Sequence, residues 1–207
     1  MPRRARKIPS QQPLHICNRS AGQITIYHSV ADYIRFEICL KEMLEKFPLR
    51  LFSFCIMPNH WHLLLEGESG KKVSEALHWL ATTHAVRLRK DNGSTGKGAV
   101  YQNRFRAYPV QKNGAFYRVA HYIERNPVDA HLCKSPEEWQ WSSANSQASS
   151  LLPLSDWPLT KPRNWLETVR RPLDEIDRSQ IQDHETSQRP LGSSDWMSRE
   201  MVAMGQG

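Results

Sequence analysis

The chain has only four cysteines in 207 residues, and none of them stands in a C-x-x-C pair. Cys17, Cys39, Cys55 and Cys133 are far apart, so neither a cysteine zinc site nor a disulfide framework has support, and reduced, mostly buried thiols are expected. No apolar run approaches the length of a membrane-spanning helix, and a mean hydropathy of -0.63 with 24% charged residues argues against an integral membrane protein. The start, MPRRARKIPS, has the charge of a signal-peptide n-region without the apolar stretch that should follow it, so the expected location is the cytoplasm, at the nucleoid. The Gly-Lys pair in the segment DNGSTGKG (91–98) lacks P-loop spacing, no strand directly precedes it, and no nucleotide cofactor is expected. No internal repeat is present.

An apolar fraction of 39% and seven Trp residues suit a globular protein with one main domain and an appendage. Net charge is +7 with a pI near 9.4. The excess is concentrated: residues 84–125 contain nine Lys or Arg against Asp91 and Glu124, and the rest of the chain balances. A polyanionic partner fits such a window, although a solvated basic face would look the same. The interleaved aromatics Tyr101, Phe105, Tyr108, Phe116 and Tyr117 favour single strands, whose bases can stack.

Leu14–Cys17 reads as a short strand and Val30–Lys46 as a helix that Pro48 ends. The runs 51–57 and 60–66, separated by Pro58-Asn59, read as an antiparallel hairpin with the histidines at its turn end. A second helix is expected from Ser74 to about Lys90, a strand over 105–111, and a third helix N-capped by Asn113 and stopped at Asn126 by Pro127. The order β-α-β-β-α-β-α gives a ferredoxin-like α+β fold, an antiparallel sheet with helices packed on one face. After Trp141, prolines punctuate short helical pieces, a helical C-terminal extension.

His60 and His62 flank Trp61 at the start of an apolar strand. Side chains two apart on a strand point to one face with Cα atoms about 7 Å apart, so both imidazoles can reach one cation. Tyr122 and Asn126 stand four apart on a helix, with Arg118 one turn before them, which lines up a cation, a phenol and an amide oxygen. A phenol is a poor nucleophile at neutral pH and needs help, which a divalent metal on His60, His62 and Asn126 would give by polarising a phosphate. Mg²⁺ or Mn²⁺ suits a carbonyl oxygen with imidazoles better than zinc does. Each element has a plainer reading. His-x-His can be packing, Tyr122 a core residue with its hydroxyl at the rim, and Asn126 a helix stop. Tyr117 is a rival nucleophile on another face.

The segments MPRRAR, MPNHWHLLLE (57–66), HWLATTHAVR (78–87), VYQNRFRAYPVQ (100–111), HYIERNPVDAHL (121–132), EWQWSSA (138–144) and RPLGSSDWM (189–197) together resemble the REP-associated tyrosine transposases, a branch of the single-tyrosine HUH transposases with an IS200-like domain. The resemblance covers nearly the whole chain. It implies a basic N-terminal arm (1–12), a ferredoxin-like HUH domain (13–133) and a C-terminal extension and tail (134–207). It also implies an enzyme that binds single-stranded DNA with palindromic REP hairpins, then cleaves and rejoins it with Mg²⁺ or Mn²⁺. Tyr122 would be the nucleophile, making a 5′-phosphotyrosine and a free 3′-hydroxyl, with His60, His62 and Asn126 as metal ligands. Candidate DNA contacts are Arg3, Arg4, Arg6, Lys7, Arg19, Arg104, Arg106, Lys112 and Arg118, and a monomer is expected. One departure is Ser20, which stands where the family's turn reads Asn-Arg-Gly. Two other readings share these residues: a REP-binding regulatory or architectural protein without turnover, and a metal-dependent hydrolase that uses water in place of Tyr122.

Overall fold

In a computed structural model, residues 8–205 are described apart from 95, 97 and 148–151. Arg3, Arg4, Arg6 and Lys7, the expected N-terminal arm, lie outside the described residues. Strands form where side chains alternate between two buried environments. β1 (Leu14–Arg19), β2 (Leu49–Met57), β3 (His60–Gly67) and β4 (Arg106–Pro109) make one antiparallel sheet in the order β2-β3-β1-β4. Helix α1 (Val30–Lys46) links β1 to β2, and α2 (Gly70–Asp91) links β3 to β4, so the ferredoxin-like βαββαβ order holds.

Local chemistry sets the helix ends. Ser29 and Asp32 form a reciprocal capping box at the start of α1. Helix α2 begins one turn before the expected Ser74, because the Ser69 side chain accepts the Lys72 N–H and Val73 already belongs to the apolar stripe continued by Ala76, Leu77, Leu80, His84 and Leu88. Asn113 caps α3 (Gly114–Asp129) as expected. Pro127 does not stop that helix at Asn126. Its missing N–H falls in the last turn, the chain stays helical to Asp129, and the Ala130 N–H still reaches the Asn126 carbonyl at 3.0 Å. Asn126 thereby keeps helical geometry one turn from Tyr122. The turn at Ser20 needs no glycine there: Ser20 is extended (φ -61°, ψ 150°), and the positive φ of 67° falls on Gly22.

Helices cover both faces of the sheet, not one. On the first, α1 and α2 bury Leu14, Ile16, Phe54, Ile56, Trp61, Leu63 and Leu65. On the second, α3 and the C-terminal extension bury Phe52, Cys55, Met57, Leu64 and Tyr108 against Phe116, Val119, Ile123, Trp165 and Ile181. The extension comprises a 3-10 turn (Pro136–Glu138) and helices α4 (Trp165–Arg170), α5 (Glu175–Ser187) and α6 (Ser194–Met204). It also closes the outer edge of the sheet: the Ile56 N–H donates to the Trp141 carbonyl at 2.8 Å, and the Ser143 N–H donates to the Phe54 carbonyl at 3.0 Å. Three of the four cysteines are buried and all are free. Among the described residues no helix is long and apolar enough to cross a membrane.

Candidate active site

Strand register assembles the site. His60 pairs across from Arg19, His62 from Cys17 and Leu64 from His15, while Cys17 and His15 face Arg106 and Tyr108 on β4. Directly opposed residues of an antiparallel pair share a face, so a polar row of three histidines, two arginines, Cys17 and Tyr108 runs along the second face. Helix α3 lies on that face and brings Tyr122 over the row. The His62 and Tyr122 ring centroids are 5.7 Å apart, those of His60 and His62 4.9 Å, and those of His15 and Tyr122 6.0 Å. Asn126 stands one turn after Tyr122 on α3 and favours the ionised phenol. His60, His62 and Tyr122 therefore meet within one chain, with Asn126 one turn further along α3.

The imidazoles have the state that metal ligands need. Burial, helped by Arg19, lowers the His60 pKa to about 3, and burial with its neighbours His60, His15 and Arg19 holds His62 well below its ordinary value. Both are neutral at physiological pH, with lone pairs free for coordination. His60 Nδ1 is 2.6 Å from Asn59 Oδ1, which leaves its Nε2 free. His62 Nδ1 is 2.9 Å from His15 Nε2, and His15 Nδ1 is hydrogen-bonded to the Tyr108 hydroxyl. His62 Nε2 is buried with no partner. A buried nitrogen without a partner is costly unless something fills its lone pair, so the donor set fits a divalent cation. The Tyr122 phenol, 8% exposed, is pushed up by burial, by Glu185 and by Cys17, while Asn126 and Arg19 pull the other way. Unaided, it is a weaker nucleophile than a tyrosine in water.

Tyr122 opens on a cleft of about 440 Å³ whose wall includes Arg19, Arg104 and Arg106, together with Asn18, Gln102 and Asn103. Three guanidiniums and several amides around a phenol suit a phosphodiester backbone. The other expected contacts are placed differently. Lys112 is paired with Glu66 at 2.8 Å, and Arg118 points away from the line with Tyr122 to pair with Asp177 at 3.0 Å. Arg87 and Arg125 are likewise engaged, with Glu42 and Asp129, so the basic window 84–125 is not one free surface. Its aromatics are corrected too: Tyr101, Phe105, Tyr108 and Phe116 are buried core residues and offer no stacking platform. Tyr108 and Phe116 follow the periodicity of β4 and α3 facing the core, while Tyr101 and Phe105 are buried from the loop before β4. Tyr117, the rival phenol, donates to the Thr160 carbonyl at 2.8 Å, away from the histidines.

The model for the family "Transposase IS200 like" matches residues 13–126, from the strand that carries His15 to Asn126. The chain belongs to that family. A relative in Haemophilus influenzae, named "Putative REP-associated tyrosine transposase", is 24% identical over 137 residues, covering 62% of this chain and 78% of its own. A solved structure of a REP-associated tyrosine transposase bound to a REP hairpin superposes with a TM-score of 0.57 at 15% identity, over 77% of this chain and 95% of that one. At that identity the superposition establishes the shared fold.

Sequence reasoning missed several members of the site. His15, Cys17 and Tyr108 were legible in principle, because β1 places His15 and Cys17 on the face opposite Leu14 and Ile16. Glu185, on α5, was not. It lines the same cleft as Tyr122 and Cys17, and burial raises its pKa while those two neighbours with Arg19 and Arg106 oppose the rise. A lone Glu in the polar run DHETS gives no sign of being buried.

Proposed function

We propose that this chain is a metal-dependent strand transferase for single-stranded DNA that acts on palindromic hairpins of the REP type through Tyr122. The observation that carries the reading is the meeting of Tyr122 with His62 at the wall of an arginine-lined cleft. In the reaction, Tyr122 Oη attacks phosphorus, the P–O3′ bond breaks, and a 5′-phosphotyrosine and a free 3′-hydroxyl result. The phenol loses its proton as the new bond forms and the departing 3′ oxygen gains one; when a 3′-hydroxyl attacks the phosphotyrosine, that hydroxyl loses its proton and the Tyr122 oxygen regains one. Bond energy is conserved, so no nucleotide cofactor is needed. Mg²⁺ or Mn²⁺ on His60, His62 and Asn126 would polarise the scissile phosphate and stabilise the leaving oxygen. Arg19 holds negative charge near the phenol and opposes its raised pKa, Arg104 and Arg106 grip the flanking backbone, and the helical register of Asn126 orients Tyr122. Because ligands and nucleophile meet within one chain, the working unit is a monomer, acting in the cytoplasm at the nucleoid.

The test is a denaturing-gel assay of labelled single-stranded REP hairpins with Mg²⁺, Mn²⁺ or EDTA, comparing wild type with Tyr122→Phe. A covalent adduct that needs metal and disappears in the variant is expected. An adduct that persists in Tyr122→Phe refutes this nucleophile. Cleavage without any adduct selects the water-nucleophile hydrolase, and tight hairpin binding without cleavage selects the regulatory binder.

A further inference from the structure

His15, His62 and Glu185 each present one ligand atom within 4.8 Å of the others, and all three residues are buried. His15 is 1% exposed, His62 1% and Glu185 7%. His60 does not belong to this group. His15 Nε2 and His62 Nδ1 are hydrogen-bonded to each other at 2.9 Å, so one of the two nitrogens carries the bridging proton, which a cation held by both would displace. Tyr108 holds the other nitrogen of His15, as an outer partner holds a ligating imidazole. The other ring nitrogen of His62, Nε2, is buried without any hydrogen-bond partner and is the lone pair that this bond leaves over for a cation.

The proposed ligands His60, His62 and Asn126 are all neutral. Three neutral donors hold a hard divalent ion weakly, because affinity at such sites rises with the number of charged oxygen ligands. Glu185 is the carboxylate that comes within ligand distance of the histidines, and it arrives from α5, outside the segment that the family model matches.

We propose that Glu185 is a metal ligand, and that the C-terminal extension supplies through it, beside His15 and His62, the anionic ligand that lets the centre take up Mn²⁺ or Mg²⁺ before DNA arrives. The inference rests on the proposed metal-dependent reading but is tested without DNA. Binding of Mn²⁺ to the full chain is followed by the electron paramagnetic resonance of free Mn²⁺, for wild type, Glu185→Gln, Glu185→Asp and His15→Gln. Glu185→Gln is expected to weaken Mn²⁺ binding about tenfold or more, His15→Gln to weaken it by a smaller factor, and Glu185→Asp to recover part of the loss. Thermal unfolding in EDTA shows whether each variant is folded, and Glu185→Asp keeps the comparison decisive if Gln disturbs packing.

Mn²⁺ affinity within twofold of wild type in a folded Glu185→Gln overturns the inference. Adduct formation by the wild type in the hairpin assay then still supports the tyrosine reading. If instead the wild type never forms an adduct while Glu185→Gln loses Mn²⁺, the cation site stands and the tyrosine reading falls.

Discussion

Helix α5 is held down by little, and that makes Ile181→Ala an informative perturbation. Only Ile181 and Glu185 are buried along its 13 residues, and they stand one turn apart on the same face. Ile181 is 0% exposed and packs into the second-face core. Full burial of such a side chain contributes about 1.5–3 kcal/mol. The ion pairs Arg118–Asp177 and Arg178–Asp129 are partly exposed, so each adds only about 0.2–1 kcal/mol. Truncating a buried Ile to Ala costs about 2–5 kcal/mol where the surroundings cannot relax, which is comparable with everything that docks α5. The helix is therefore expected to open locally before the sheet unfolds, and a loss of about 2 kcal/mol raises the open population about 30-fold. Amide hydrogen exchange measures this directly: protection over 175–187 falls by that factor while β1–β4 keep theirs. A uniform fall across the sheet, or unchanged exchange in α5, refutes the claim that α5 is a separately opening unit.

Two further predictions use other parts of the molecule. His84, buried on α2 with its Nδ1 2.8 Å from the Tyr101 hydroxyl, has its pKa lowered to about 3 by burial. Its folded pKa lies below the unfolded value of about 6.5, so the unfolded state takes up the proton first. The stability it contributes is complete above 6.5 and is lost progressively as pH falls towards 3. Lowering pH from 7.5 to 5 should cost wild type about 2 kcal/mol more than a non-titrating His84→Asn variant. Urea unfolding of both proteins at the two pH values checks it, and equal slopes reject the assignment. On the cleft, Arg106→Ala should reduce the salt dependence of hairpin binding by about 0.7 in log–log slope if it meets one phosphate of a single strand. Arg118→Ala should leave that slope unchanged, because Arg118 is already engaged by Asp177; equal effects of the two substitutions contradict the placement of the DNA path.

The sequence carried the βαββαβ order because its patterns are strong: short continuous apolar runs on either side of Pro58-Asn59 and a helical stripe through Phe116, Val119, Ala120 and Ile123. It misplaced the basic and aromatic window for a physical reason. Charge and ring content are readable from sequence, but whether a Lys meets Glu66 or a phosphate depends on contacts across the fold. Pro127 misled in the same way, since a proline's cost depends on how many turns follow it, and here the helix ends two residues later. His60, His62, Tyr122 and Asn126 could be found because two short-range spacings define them. Glu185 could not, because its place beside His62 is set by the docking of a helix more than a hundred residues downstream in a segment with weak periodicity.

That placement ties metal uptake to the docking of α5, and thermodynamic linkage makes the tie reciprocal. If Glu185 is a ligand only when α5 is docked, then cation binding must stabilise the docked helix. The undocked state keeps the histidine ligands, so the added stability is set by the affinity ratio of the two states: a tenfold ratio gives about 1.4 kcal/mol at saturating cation, part of the roughly 2 kcal/mol loss expected from Ile181→Ala. Mg²⁺, which leaves amide exchange readable by NMR, should therefore slow exchange over 175–187 in wild type once it saturates the site, and should restore about tenfold of the protection lost in Ile181→Ala. In Glu185→Gln the same addition should leave α5 exchange where it was. The outcome separates two roles for the carboxylate. A Glu185 that merely fills space beside Tyr122 and Cys17 gives metal-independent exchange in all three proteins, whereas a ligand gives a metal-dependent difference that vanishes with the charge.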